Sequence, residues 1–288
     1  MHHSPCLPRM FGSLLFIACL LSQTPNLRSA DLKPETLAAF SRYVQLTETR
    51  IDTELKRPGQ FLYVDGLPEA RRVQVLALLR KGEVFIEPLS TPDASGKEIV
   101  PPGGMLHHWL GAVFIPGATL GQTLDLVEDY DHHRDIYKPE VVGSKLVSRK
   151  GDDFKIFYRL RKTKVITVTL NTDHDVHYFR VDSTHCYSRS YSTRIAEVAD
   201  ADSPIERERP IGHDHGFLWR INSYWRFDEK DGGMYVECES ISLTRALPPI
   251  IGVIIRKFVT EIPRESLQMT MGSTRSTLLA RLQAAGTK

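Results

Sequence analysis

The stretch GFLWRINSYWRFDEKDGGMYVECESISLTR, residues 216–245, holds two strand-like runs around a turn. Side chains of a strand alternate between its faces, so each run divides into two sets. On the first run Trp219, Ile221, Ser223, Trp225 and Phe227 share one face, and Arg220, Asn222, Tyr224 and Arg226 the other. On the second run Val236, Cys238, Ser240 and Ser242 oppose Tyr235, Glu237, Glu239 and Ile241. The economical pairing turns the Trp/Ile/Val/Cys set inward. Arg220 and Arg226 then meet Glu237 and Glu239 outside as cross-strand charge pairs. Apolar burial contributes roughly 25 cal/mol per Å², so two tryptophans contribute several kcal/mol. An exposed ion pair contributes about 0–1 kcal/mol, so apolar burial sets the register. The reverse pairing would put Arg220, Tyr224, Arg226, Glu237 and Glu239 inside a wet cavity. There arginine could grip the oxygens of a carboxylate or phosphate, and the set could do acid–base work. Desolvating so many charges is costly unless each is paired.

Working outward, residues 141–198 carry VVGSKLVSR, FKIFYRLR, KVITVTL, HDVHYFRVD and CYSRSYSTRIAEV, strand-like runs joined by short turns. The segment 199–214 is polar, contains two prolines and reads as a loop. Upstream, HHWLGAVFIP (107–116) reads as a strand. In the next stretch Thr119 and Gln122 have capping-box spacing, and Leu120, Leu124 and Val127 line one helical face. Residues 34–56 read as a helix with Leu37, Phe40, Val44, Ile51 and Leu55 on one side. A second helix starts at Pro68, with a Val73, Leu76, Leu79 stripe and Gly82 as its cap. EVFIEPL (83–89) reads as a strand, followed by a Pro/Gly-rich connection. Pro248-Pro249 open a helix-rich end that Pro263 interrupts, after which Leu267, Met271, Leu278 and Leu282 recur at helical spacing. Meandering strands make an antiparallel sheet with one packed face, and the terminal amphipathic helix is its cover. The predicted class is α+β: a curved antiparallel sheet of six to seven strands gripping a long C-terminal helix, with an N-terminal helical extension. The expected division is a signal peptide at 1–30, an extension and linker at 31–105, and the main domain at 106–288.

Of the 288 residues, 41% are hydrophobic and 25% charged, with a formal charge of +2. These values are ordinary for a globular chain, and without a long Lys/Arg block nothing points to nucleic acid. Arg9 precedes FGSLLFIACLLS (11–22), too short a run to span a membrane comfortably. A basic residue before such a core reads as a secretory signal, so the mature chain is expected to be periplasmic or secreted. FIAC, ending at Cys19, resembles a weak lipobox, and an ordinary apolar core that happens to hold Cys19 explains it better. Only Cys186 and Cys238 remain after export, too few for a disulfide framework.

The stretch TLDLVEDYDHHRDIYKPEVVGSKLV, and GGMYVECESISL leading through a Pro pair into the last helix, resemble the helix-grip fold of the START / Bet v 1-like superfamily. That superfamily includes polyketide cyclases and lipid-transfer domains. The resemblance spans roughly residues 106–284 and leaves 31–105 without a counterpart. It implies a cavity between the sheet and the C-terminal helix, a hydrophobic small molecule or lipid as the partner, and no cofactor. The expected lining is Trp219, Ile221, Trp225, Val236, Cys238, Ser240, Tyr158, Ile255 and Phe258. The polar alternative is a cyclase/aromatase- or hydrolase-type enzyme using His107, His108, Arg220, Tyr224, Arg226, Glu237 and Glu239 in the same cavity. A third reading makes 31–105 an interaction module or a plug for the pocket.

Eleven histidines raise the question of metal. Zinc needs three or four converging ligands. His174 and His177 point to opposite faces of a strand, the HDH at 213–215 reads as a solvated loop, and no metal is expected. One of His107 and His108 must face the sheet interior, where it could anchor a polar group. No nucleophile elbow, phosphate loop or dinucleotide fingerprint is present. IIGVIIRKFV (250–259) is apolar enough to touch a membrane and reads first as the gripping helix.

Overall fold

The computed structural model describes residues 30–164, 166–246 and 253–286. The expected signal segment at 1–30, with Cys19, lies outside the described residues apart from Ala30, and so do Pro248-Pro249. In chain order the elements are β1 (Ala30–Asp31), α1 (Pro34–Leu55), α2 (Glu69–Arg80), β2 (Phe85–Pro88), β3 (Gly104–Pro116), α3 (Leu120–Val127) and α4 (His133–Ile136). There follow β4 (Val141–Lys150), β5 (Asp153–Thr163), β6 (Thr167–Arg180), β7 (His185–Ala199), β8 (Arg207–Glu208) and β9 (His213–Asp214). Last come β10 (Arg220–Lys230), β11 (Gly233–Arg245) and α5 (Val253–Gly286). The main sheet runs β2-β3-β11-β10-β7-β6-β5-β4, with β8 attached to β7, and β1 pairs separately with β9. Every pairing is antiparallel. The sheet is wider than the six to seven strands expected, because the N-terminal segment contributes β2 as an outer strand. KVITVTL and HDVHYFRVD contribute to one strand, β6; the polar Asn171 and Asp173 between them stay in it because they fall on its less buried side.

The opening stretch forms a hairpin whose loop is Asp231-Gly232, with φ of 56° and 73°. That is the two-residue loop with positive φ whose twist matches paired strands. The capping box at Thr119 and Gln122 forms as the spacing predicts. Val73 departs from the expected stripe and is 55% exposed; Val75 and Leu79 carry the buried side of α2. Pro263 does not interrupt the last helix, which continues through it. The flanking turn is held from the side, since the Lys164 ammonium donates to Glu265 (2.9 Å) and Lys162 to Ser266 (3.3 Å).

Apolar residues cover the sheet on both faces. On the concave face Val113, Phe154, Phe227 and Val236 pack against Leu124 and Val127 of α3 and Met271 and Leu278 of α5. On the back face Ile241, Leu243 and Trp219 meet Phe40, Val44 and Ile51 of α1. Nearby, Leu110, Phe114 and Tyr235 meet Val75 and Leu79 of α2. The N-terminal extension is therefore a second layer behind the sheet.

Candidate functional site

Residues of β3 with odd numbers face α5, and register carries that face across the sheet. At Gly111 the helix comes closest: an added Cβ would lie 2.9 Å from Met271 Cγ and 3.0 Å from Leu267 Cγ. The Arg275 guanidinium donates to the Phe114 carbonyl (3.0 Å), and the Tyr137 and Thr274 hydroxyls share a hydrogen bond (3.2 Å). This half of the interface is packed solid. Across the groove, Lys162 at the end of β5 reaches Ser266 and Glu265. The sheet thus curls far enough for β3 and β5 to hold α5 from opposite sides.

The floor between them changes character toward Trp109. Register sets Ser240 opposite both Trp109 and Ser223, and Ser223 opposite Ser190. The next row sets Ser242 opposite His107 and Ile221, and the preceding row sets Cys238 opposite Gly111 and Trp225. Small side chains therefore occupy the centre of this concave face. Trp109, Trp225, Ile221, Ser190, Ser223 and Ser240 are half-buried rather than buried. The hydroxyls of Ser190, Ser223 and Ser240 make no hydrogen bond among the described residues. Further round, His174 bonds Thr172 (3.0 Å), and Tyr158 bonds His133 Nδ1 (2.7 Å). Burial pushes His107, His133 and His174 each down to about 4, so all three rings are neutral near pH 7.

Of the lining residues expected from sequence, Ile221, Trp225, Val236, Cys238, Ser240 and Tyr158 face this side. The side chains of Ile255 and Phe258 lie outside the described residues. Trp219 does not join the others. It precedes the first paired residue of β10, so strand alternation does not bind it. Its indole N–H donates to Asp214 (3.0 Å), which holds the ring on the back face under α1. Ser190, Ser223, Trp109 and His174 join this side although the expected lining does not include them; the serines of CYSRSYS alternate at the period that points to Ser190. Cys186 and Cys238 are free and buried, on strands separated by β10.

The polar set lies elsewhere. Register pairs Arg226 with Glu237 on the back face, as the hairpin reading requires, but sets Glu239 opposite Tyr224 and Arg220 opposite Leu243, so the expected Arg220–Glu pair does not form. The expectation that these groups meet solvent is corrected: Tyr224, Arg226, Glu237 and Glu239 are all at most 3% exposed. The extension covers them and supplies partners. Arg226 donates to Glu54 (2.6 Å) and to the Phe61 carbonyl (3.2 Å). Glu237 accepts the backbone N–H groups of Tyr63 (2.7 Å) and Val64 (3.0 Å). Glu239 accepts from Arg50 and from His108 Nε2 (2.6 Å). Tyr43 accepts the Thr91 N–H (2.9 Å), so its own proton goes to His108 Nδ1 (2.8 Å). Tyr224 donates to Glu48 (2.9 Å). Burial pushes Glu237 up to about 7 against the pull of Arg226 and the two N–H groups. Burial would also raise Glu239, but the hydrogen bond from His108, with the charges of Arg50 and Arg226, holds it below the ordinary range. Arg220 is half-buried, donates to its neighbour's carbonyl at Trp219 (2.7 Å), and is lowered by burial. A Tyr–His–Glu relay of this kind could move a proton, but the residues that complete it also seal it. The polar alternative in the same cavity therefore keeps only His107, whose Nε2 meets Thr244 Oγ1 (2.9 Å) on the concave face. Among the described residues no three His, Cys, Asp or Glu converge as metal ligands, and no helix is long and apolar enough to cross a membrane.

Strands curled around one long helix, with α3 and α4 closing one end, define a START-like helix-grip fold. No protein-family profile and no curated protein matches the chain. Among solved structures it is similar to a STAR-related lipid transfer protein fragment from Xanthomonas axonopodis (14% identity, 67% of this chain and 98% of that one, TM-score 0.42). It is also similar to the Zhui aromatase/cyclase from Streptomyces sp. R1128 (11% identity, 63% and 99%, TM-score 0.44). A third is human STARD10 (9% identity, 76% and 85%, TM-score 0.41).

Proposed function

We propose that this chain binds a hydrophobic small molecule or lipid between the concave face and α5, and that it does so as an exported protein of the cell envelope. One observation carries the binding reading: from Trp109 through Ser240 and Ser223 to Ser190 the concave floor is half-buried and built of serines, while further along the same face α5 packs tightly on Gly111. A protein core fills such space with Leu or Ile; a row of serines leaves it for a guest. The envelope reading rests on Arg9 and the apolar run 11–22. On this view the extension braces the back of the sheet and does not act on the ligand.

The test is native mass spectrometry of the protein purified under mild conditions, with organic extraction of whatever it carries. The expected result is a bound apolar molecule lost when Ser240→Phe fills the floor. A ligand-free protein that also fails to take up the neutral dye N-phenyl-1-naphthylamine would end the proposal. Export is tested separately, by the mass of the mature N-terminus after fractionation.

A further inference from the structure

The chemistry of the floor narrows the guest, granted the binding reading above. From β3 across β11 and β10, the concave positions of this floor include Met105, His107, Trp109, Ser240, Ser223 and Ile221, and none of these carries a charge. The first charged side chain on β5 facing the groove is Lys162, and it is already engaged by Glu140 and Glu265. Of the charged residues of β10 and β11, Arg226, Glu237 and Glu239 point the other way, into the network under α1, and Glu229, on the concave side at the far end of β10, accepts the Leu120 N–H at the start of α3 (2.6 Å). What the floor offers instead is a line of hydroxyls at Ser240, Ser223 and Ser190, each able to donate and accept, beside a neutral His107. A carboxylate or phosphate placed there would give up part of its hydration and find no counter-ion among the described residues of the floor, which is costly. A neutral hydroxyl or carbonyl would exchange water for serine at little cost.

We infer that the molecule held over this floor is an uncharged amphiphile, with its hydroxyl or carbonyl on the Ser240–Ser223–Ser190 row and its hydrocarbon between Trp109 and Trp225. Anionic lipids of the same chain length are selected against. The experiment uses the purified protein and N-phenyl-1-naphthylamine displacement with matched pairs: 1-hexadecanol against hexadecanoate, and monooleoylglycerol against oleoyl lysophosphatidate. Each neutral member should bind at least tenfold more tightly at pH 7.5. In a Ser223→Val/Ser240→Val variant that melts normally, the preference should fall below threefold. An anionic member binding as tightly as its neutral partner overturns the inference while leaving the cavity intact. An undiminished preference in the double variant overturns the serine assignment. Binding of neither pair, with no dye uptake, removes the cavity reading itself.

Discussion

The two faces of this sheet solve opposite problems with the same hairpin. On the concave side Trp225 and Cys238 join the core packed on α5, and Ser240 and Ser223 beside them stay half-buried, with no hydrogen bond from their hydroxyls among the described residues. On the back, Arg226, Glu237 and Glu239 meet a helix and leave none, each charge being answered by a group from the extension. Burial alone therefore does not mark a site. The charged face is the more buried of the two and the less available. Charges taken out of water demand fixed partners, and fixed partners fill the volume a ligand would need. The neutral face tolerates incomplete packing because a half-exposed hydroxyl can be satisfied by water.

The comparison breaks first at Arg226. Its guanidinium, 3% exposed, answers Glu54 and lies opposite Glu237. Arg226→Ala leaves those carboxylates without it, and the expected loss is about 3–5 kcal/mol in urea unfolding. A loss under about 1 kcal/mol would mean that the extension does not lean on this charge.

On the concave side the largest effect belongs to the packed half. Met271 is fully buried and touches the face of Gly111. Met271→Ala should cost about 3 kcal/mol. Because the cavity it creates adjoins the serine floor, it should also admit bulkier dyes. Stability that falls without any change in dye selectivity would separate the two regions.

Much of this was legible in sequence. Alternation in β10 and β11 assigned both faces of the hairpin, and the capping box at Thr119 and the helix over 34–56 follow from local spacing. Trp219 was misplaced because alternation begins only at the first paired residue, and Asp214, five positions away, outbid it. The exposed reading of Arg226 and Glu237 failed for a different reason. A cross-strand pair looks the same in sequence whether water or a helix lies above it. Here the cover comes from Arg50, Glu54 and the backbone of Tyr63 and Val64, some 170 residues away in the chain. Nothing local to the hairpin encodes that contact. The serine floor was half legible: Ser240 and Ser223 were on the correct face, but only the pairing of β10 with β7 lines Ser190 up with them.

The finest test of the back face is its response to pH. Burial pushes Glu237 up to about 7, from 4.5 for a free side chain. Between those values the folded protein holds the Glu237 proton more tightly than the unfolded chain does. The resulting stabilisation is present at the acid end and is lost as pH rises through the window. Glutamine cannot titrate, and its amide meets the Tyr63 and Val64 N–H groups equally badly at every pH. Glu239 and the buried histidines titrate in both proteins, so they cancel in the difference. Glu237→Gln should therefore cost more at pH 5 than at pH 8, the gap narrowing by roughly 1–3 kcal/mol. A cost independent of pH would mean that the Glu237 carboxyl titrates as it does in water, which it can do only if the turn at Tyr63 and Val64 lifts away from the sheet.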